Sequence, residues 1–92
     1  MFESDNVYAF DDIAPQAPVH VVVIPKQHIE KINDLGPMSE EIVEAVAKIA
    51  RLKGVDVSGY RTVVNQGKDA GQAVPHLHFH VLGGRAMHWP PG

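Results

Sequence analysis

Three histidines occupy every second position in His76-Leu77-His78-Phe79-His80-Val81-Leu82. On an extended strand alternate side chains point the same way. The imidazoles would then line one face at intervals of roughly 6.5–7 Å, while Leu77, Phe79 and Val81 turn towards a core. One histidine on a solvated sheet face needs no special account. Three in register, each with an ordinary pKa of about 6.5, bring several proton carriers into one space. Two chemistries use such an array. His-x-His on a strand can give two ligands to zinc, with His20 or His28 as a third. Alternatively, one neutral imidazole attacks as a nucleophile and its neighbours handle protons. The preceding loop, Asn65-Gln66-Gly67-Lys68-Asp69-Ala70-Gly71, has two glycines able to take positive φ, and a lysine between them. Backbone N–H groups and a cation held there suit a phosphate better than a metal ion.

These residues need a frame to hold them. Val7–Phe10 is short, β-branched and aromatic, and follows the turn-like Ser4-Asp5-Asn6, so it reads as a strand. Asp11–Pro18 contains two prolines and is a loop. His20–Ile24 is a second strand, stopped by Pro25, with His20, Val22 and Ile24 on one face. Ser39–Lys53 is the single main helix, its apolar stripe formed by Ile42, Val46, Ile49 and Ala50. Ser39 is the expected N-cap, Met38 and Val43 a hydrophobic staple, and Gly54 the C′ residue. Glu40, Glu41 and Glu44 lie early in the helix, and Lys48, Arg51 and Lys53 late, which complements the helix dipole and needs no functional explanation. Arg61–Val64 and His76–Leu82 complete the set of strands. Strands joined by turns, with one helical excursion, predict an α+β domain: an antiparallel β-sheet with a helix packed on it.

The composition narrows the function further. The 92 residues suffice for one domain with a thin core, in which oligomerisation is expected. The net charge of −3 argues against a nucleic acid polymer as partner, because many phosphates would go unneutralised, yet it leaves room for one nucleotide in a local pocket. The absence of cysteine rules out disulfides, thiolate metal sites and cysteine nucleophiles. The N-terminus has no signal-like pattern and no apolar run approaches a membrane span, so a cytoplasmic protein with no membrane partner is expected.

The segment His76–Leu82 matches the histidine triad motif, and the likeness extends along nearly the whole chain. Phe10–His20 and Ile24–Ile29 resemble that family's nucleotide-binding loop and following strand, and Tyr60–Asn65 with Gly71-Gln72 resemble the strand and loop before the triad. The tail from Leu82 to Gly92, ending in Trp89-Pro90-Pro91-Gly92, is similar to the histidine triad nucleotide-binding branch, the purine nucleoside phosphoramidases. The resemblance implies a HIT-like fold in a single domain over 1–92, its sheet extended across a two-fold homodimer. It also implies a hydrolase that needs no metal or other cofactor and takes a purine nucleoside monophosphate or phosphoramidate as ligand. By position, His78 would attack the α-phosphorus to give an AMP–histidine intermediate. His80 would hydrogen-bond the phosphate, and His20 and His76 would orient groups and relay protons. Asp12 would hold the ribose, and Ile13 and Val22 would line the base and ribose pocket. Asn65, Gly71, Gln72 and the backbone at Ala73 would surround the phosphate, and Trp89 would help select the leaving group.

Three departures from the family pattern stand out. Position 73 is alanine where this branch carries a hydroxyl residue. The chain is expected to start near the first core strand, without the family's N-terminal helix and hairpin. Finally, histidines placed like His28 and His76 join an N-terminal Cys-x-x-Cys in the zinc site of some members, and here the cysteines are lacking. Three other readings follow: a nucleotide-binding scaffold with little turnover, a dinucleoside polyphosphate hydrolase, and a dedicated metal-binding protein. Hydrolysis assays separate the first two from a phosphoramidase, and metal content separates the third.

Overall fold

Apolar residues at alternate positions build the sheet, and the computed structural model describes all 92 residues of it and its surroundings. The strands are β1 (Phe2–Glu3), β2 (Val7–Asp11), β3 (Val19–Pro25), β4 (Tyr60–Val63) and β5 (Phe79–Gly83), with one α-helix, α1 (Ser39–Leu52), between β3 and β4. The sheet is antiparallel throughout, in the order β1-β2-β3-β5-β4. The α+β class is as expected from the sequence, with β1 as an additional edge strand.

Registry decides which side chains share a face. Val22 lies between Phe10 on β2 and His80 on β5, whereas Val23 lies between Ala9 and Phe79. One face therefore carries Val7, Ala9, Val21, Val23, Phe79 and Val81, which join Ile42, Ala45 and Ile49 of α1 in the buried core. Each fully buried isoleucine of that helix stripe contributes about 1.5–3 kcal/mol from removing its side chain from water. The opposite face carries Phe10, Val22, Ile24, His20 and His80.

Several local expectations are corrected. The strand containing the triad begins only at Phe79, because the pairing of β3 with β5 ends at Val23↔Phe79. His76, Leu77 and His78 form a lead-in, where the Leu77 N–H donates to the Ile29 carbonyl at 2.6 Å. The period-two burial persists there nonetheless, with Leu77 buried and His76 and His78 half-buried. Pro25 does not stop β3 but is its last paired residue, opposite Val7, at a strand end where a missing N–H is tolerated.

Ser39 is not the N-cap. A 3₁₀ turn over Gly36–Met38, with Pro37 in its first turn, runs directly into α1, and Met38 occupies the cap position. The Ser39 hydroxyl instead donates back to the Gly36 carbonyl at 2.5 Å. Nor is there a staple. Met38 packs on the core while Val43 is 67% exposed on the outer side of the helix. Gly54, with φ of +72°, closes the helix as anticipated.

The helix charges hold the fold together. Glu41 accepts hydrogen bonds from the Ser4 hydroxyl at 2.5 Å, the Asn6 N–H at 3.0 Å and the Asn6 side-chain amide at 2.9 Å. Those bonds hold its carboxyl below the usual value of 4.5. At the other end of α1, Lys53 pairs with Asp11 at 2.9 Å. One end of the helix is thus fastened to the turn between β1 and β2, and the other to the end of β2.

Candidate active site

The exposed side of the sheet forms a cavity of about 420 Å³, lined by Phe10, Asp12, Val22, Ile24, Val74, His76, His78 and His80. Its size is within the range of small-molecule sites, which are mostly apolar with a few convergent polar groups. β2 and β3 supply the apolar floor, and the triad segment supplies the imidazoles.

Hydrogen-bond accounting fixes the protons on these rings. His78 Nδ1 lies 2.8 Å from the main-chain carbonyl of His76. A carbonyl only accepts, so Nδ1 carries the hydrogen, and Nε2 of a neutral His78 keeps its lone pair. His20 is buried, and its Nδ1 accepts the Gln16 N–H at 3.0 Å. His20 Nε2 must then carry the hydrogen, and it donates to His80 Nδ1 at 2.8 Å. It follows that His80 presents Nε2–H as a donor. Desolvation by burial, followed by the neighbouring His20 and His78, lowers the His80 pKa below the ordinary 6.5 and favours this neutral form. The ring centroids of His78 and His80 are 5.1 Å apart, and those of His20 and His80 5.0 Å.

The side chain of His76 belongs to a different group. Its Nε2 donates to the Pro25 carbonyl at 3.1 Å, leaving Nδ1 to accept from His28 Nδ1 at 3.3 Å. His76 therefore supplies a main-chain carbonyl to His78, while its imidazole pairs with His28 at the cavity wall.

Asp12 has one carboxylate oxygen accepting the Ala14 N–H at 2.8 Å and the other 3.5 Å from His20 Nε2. Its carboxylate closes its own loop and sits at the cavity. Asp12, His20 and His80 are also the one group whose ligand atoms could surround a metal ion. The hydrogen shared by His20 and His80 lies between their nitrogens, however, and an ion there would have to displace it.

Not every candidate lines this cavity. Val22 does, but Ile13 is fully exposed, because two-residue alternation ends at Asp11, where the loop turns outwards. Phe10, Ile24 and Val74 form the apolar wall instead. Ile24 shares its face with Val22 and His20 in the sequence pattern, and this signal identifies it. Gln72 and Ala73 line an adjoining hollow with Glu30, Lys31, Gln66, Gly67, Lys68 and Pro75. Asn65 and Gly71 line neither hollow.

The glycines of that loop take positive φ, at +87° for Gly67 and +80° for Gly71, but their amides do not form an open cradle. Gly71 N–H donates to the Lys68 carbonyl, Gln72 N–H to the Gly67 carbonyl, and Gly67 N–H to the Gln72 side chain. The Ala73 and Val74 amides, like those of Lys68, Asp69 and Ala70, have no partner in the chain. Trp89 is 82% exposed and does not pack on its own subunit.

Comparison with known proteins agrees with this geometry. The HIT domain family matches residues 1–87. A HIT-like protein of Synechococcus elongatus is 46% identical over 96 aligned positions, which span the whole chain and 83% of that protein. The crystal structure of a HIT family hydrolase from Legionella pneumophila superposes with a TM-score of 0.92 at 48% identity, covering 100% of this chain and 86% of that one. A histidine triad nucleotide-binding protein from Candida albicans superposes with a TM-score of 0.84 at 31% identity, covering 98% and 72%. No helix is long and apolar enough to cross a membrane. Sequence, sheet order and the imidazole array agree, and the chain belongs to the HIT domain family, with the fold of its hydrolases.

Proposed function

We propose that this protein hydrolyses the P–N bond of purine nucleoside phosphoramidates, with His78 as the nucleophile. The observation that carries this reading is the bond from His78 Nδ1 to the His76 carbonyl. It leaves Nε2 as a lone-pair nitrogen on a side chain lining the cavity, and it stabilises the cationic ring that forms when Nε2 is phosphorylated.

In the first step His78 Nε2 forms a bond to the α-phosphorus, and the phosphorus–nitrogen bond to the amine breaks. The departing nitrogen takes a proton from solvent and leaves as a neutral amine. In the second step a water oxygen bonds to phosphorus and gives up a proton to solvent, the His78–phosphorus bond breaks, and AMP and free imidazole result. The His80 Nε2–H is a preset donor to the phosphoryl oxygens, where negative charge grows in both steps. Phe10, Val22 and Ile24 offer an apolar surface for the base, Asp12 holds the ribose hydroxyls, and the free Ala73 amide faces the phosphate. The nucleotide-binding relative from Candida albicans favours a nucleotide ligand.

Mass spectrometry after brief exposure to an AMP phosphoramidate tests the reading. An AMP adduct on His78 is expected. Turnover with no adduct, or an adduct on another residue, overturns it. Nucleotide binding without hydrolysis favours a scaffold, and preferential cleavage of a dinucleoside polyphosphate favours the other hydrolase.

Assembly is part of the proposal. β4 is an open edge strand, and Val43, Leu52 and Val57 are exposed nearby in the chain. Two copies joined through α1 and adjoining strand residues would cover them in one continuous sheet. Light scattering giving a monomer mass would reject this. In such a dimer the exposed Trp89 reaches towards the partner's cavity and helps select the amine. Deletion of Met87–Gly92 would then reorder amine leaving groups, whereas an unchanged ranking would remove the tail from specificity.

A further inference from the structure

The residue whose N–H reaches His20 is itself held from outside the cavity, at the base of the C-terminal tail. Arg85 lies two residues beyond the end of β5, on the exposed surface. It pairs with no carboxylate. Its guanidinium instead converges on one main-chain oxygen: Nε donates to the Gln16 carbonyl at 3.2 Å and Nη2 to the same oxygen at 3.0 Å. The remaining Nη1 donates to the Ala86 carbonyl at 2.9 Å and fixes the turn of the tail. Gly84 makes this approach possible. It adopts a φ of +86°, and a Cβ there would come within 3.0 Å of Pro18, so only glycine brings the tail so close to the loop.

Gln16 is also the residue whose N–H donates to His20 Nδ1. We infer that Arg85 is a positioning residue for the imidazoles, holding Gln16 by its carbonyl so that its N–H stays on His20 and keeps His80 a hydrogen-bond donor. The consequence of losing this hold is specific. If His20 Nδ1 is released it can take the hydrogen itself, and Nε2 then becomes an acceptor. His80 must respond by donating from Nδ1, which turns its Nε2 from a donor into a lone pair facing the cavity. A lone pair repels the phosphoryl oxygens that an N–H would stabilise. Asp12, with Oδ2 3.5 Å from His20 Nε2, opposes this inversion from the cavity side, and Arg85 acts from the other. Arg85 is absent from the cavity lining, so any effect it has on a bound phosphate passes through Gln16, His20 and His80.

The effect on turnover rests on the phosphoramidase reading, whereas the effect on tautomers does not. The experiment measures both on the full chain. Histidine labelled with ¹⁵N shows by NMR which ring nitrogen carries hydrogen, and hydrolysis of an AMP phosphoramidate gives kcat and KM. In the unaltered protein His20 and His80 are both expected as Nε2–H. In Arg85→Met a mixture of tautomers is expected at both rings, with kcat lowered about tenfold and KM changed less than about twofold. Arg85→Lys keeps a donor near the Gln16 carbonyl and should fall between the two. Unmixed tautomers in a folded Arg85→Met protein overturn the inference, as do mixed tautomers with kcat unchanged. If the unaltered protein proves inactive while Arg85→Met mixes the tautomers, the positioning role stands and the phosphoramidase reading falls.

Discussion

Two groups of imidazoles meet at the cavity, through His78 and His80 in one and His76 in the other, and their surroundings differ. In the group of His20, His78 and His80 the proton positions of His20 and His78 are dictated by main-chain partners, and that of His80 by His20. His28 and His76 form a pair closed by a single carbonyl, and the His28 side chain is 68% exposed. In water a ring can exchange one partner for another at little cost, whereas a buried ring with a fixed donor and acceptor keeps one tautomer. Identical side chains thus acquire different duties from burial and main-chain geometry alone. On the proposed reading the first group serves the reaction, while the second holds the His76 segment against Pro25.

Substitutions can break that contrast. The largest effect is expected for His78→Ala, which should lower turnover by about a thousandfold or more while AMP binding by calorimetry persists, since only the covalent step needs that nitrogen. Retention of most activity would remove His78 from its role. Next, His80→Ala should lower kcat by about a hundredfold through loss of the phosphate donor. In the same assay His28→Ala should stay within about threefold of the unaltered protein. Equal losses at the two positions would erase the distinction between the groups.

Smaller effects sharpen it. Ala73→Ser places a hydroxyl beside the unpartnered amide and should raise turnover of amine-leaving substrates by up to about tenfold; no gain would mean that the loop has adapted to alanine. The smallest effect concerns pH. The folded pKa of His80 is below the ordinary 6.5, so the unfolded chain takes up its proton first as the solution is acidified. The contribution of His80 to stability therefore declines as pH falls below 6.5 and levels off once pH passes below the folded value. Urea midpoints compared at about pH 7.5 and 5.5 should drop for the unaltered protein and drop less for His80→Asn. An NMR titration midpoint for His80 at or above 6.5 would contradict this order.

Much of this was legible in the sequence where a short period governs it. Alternation in His76–Leu82 assigned Leu77, Phe79 and Val81 to the core, and the helix stripe of Ile42, Ile49 and Ala50 is buried as its spacing predicts. Long-range registry was not legible. Nothing local in the triad shows that His20 would meet His80 across 60 residues while His76 turns to His28. The sequence pattern puts Phe10 on a strand, but its position in the cavity wall follows from its pairing with Val22. The helix start failed for a related reason. Serine is a strong capping residue in isolation, but the Gly36–Met38 turn already carried helical geometry past it.

The bonds from Ser4 and Asn6 to Glu41 bear on the order in which the chain assembles. A two-residue strand such as β1 has too little pairing of its own to persist in water. Its anchor is 35 and 37 residues away, on a helix whose apolar stripe is itself organised by the sheet. The bonds to Glu41 can therefore form only once α1 is in place beside β2 and β3, and the hairpin is expected to be the last part of the sheet to gain protection from hydrogen exchange. Opening should begin there too. Because hydrogen bonding lowers the Glu41 pKa, the latch is fully present above the unfolded value and is lost as pH falls through the lower folded one. Hydrogen exchange in acid is expected to show the hairpin opening as a local unit before the helix and the central strands.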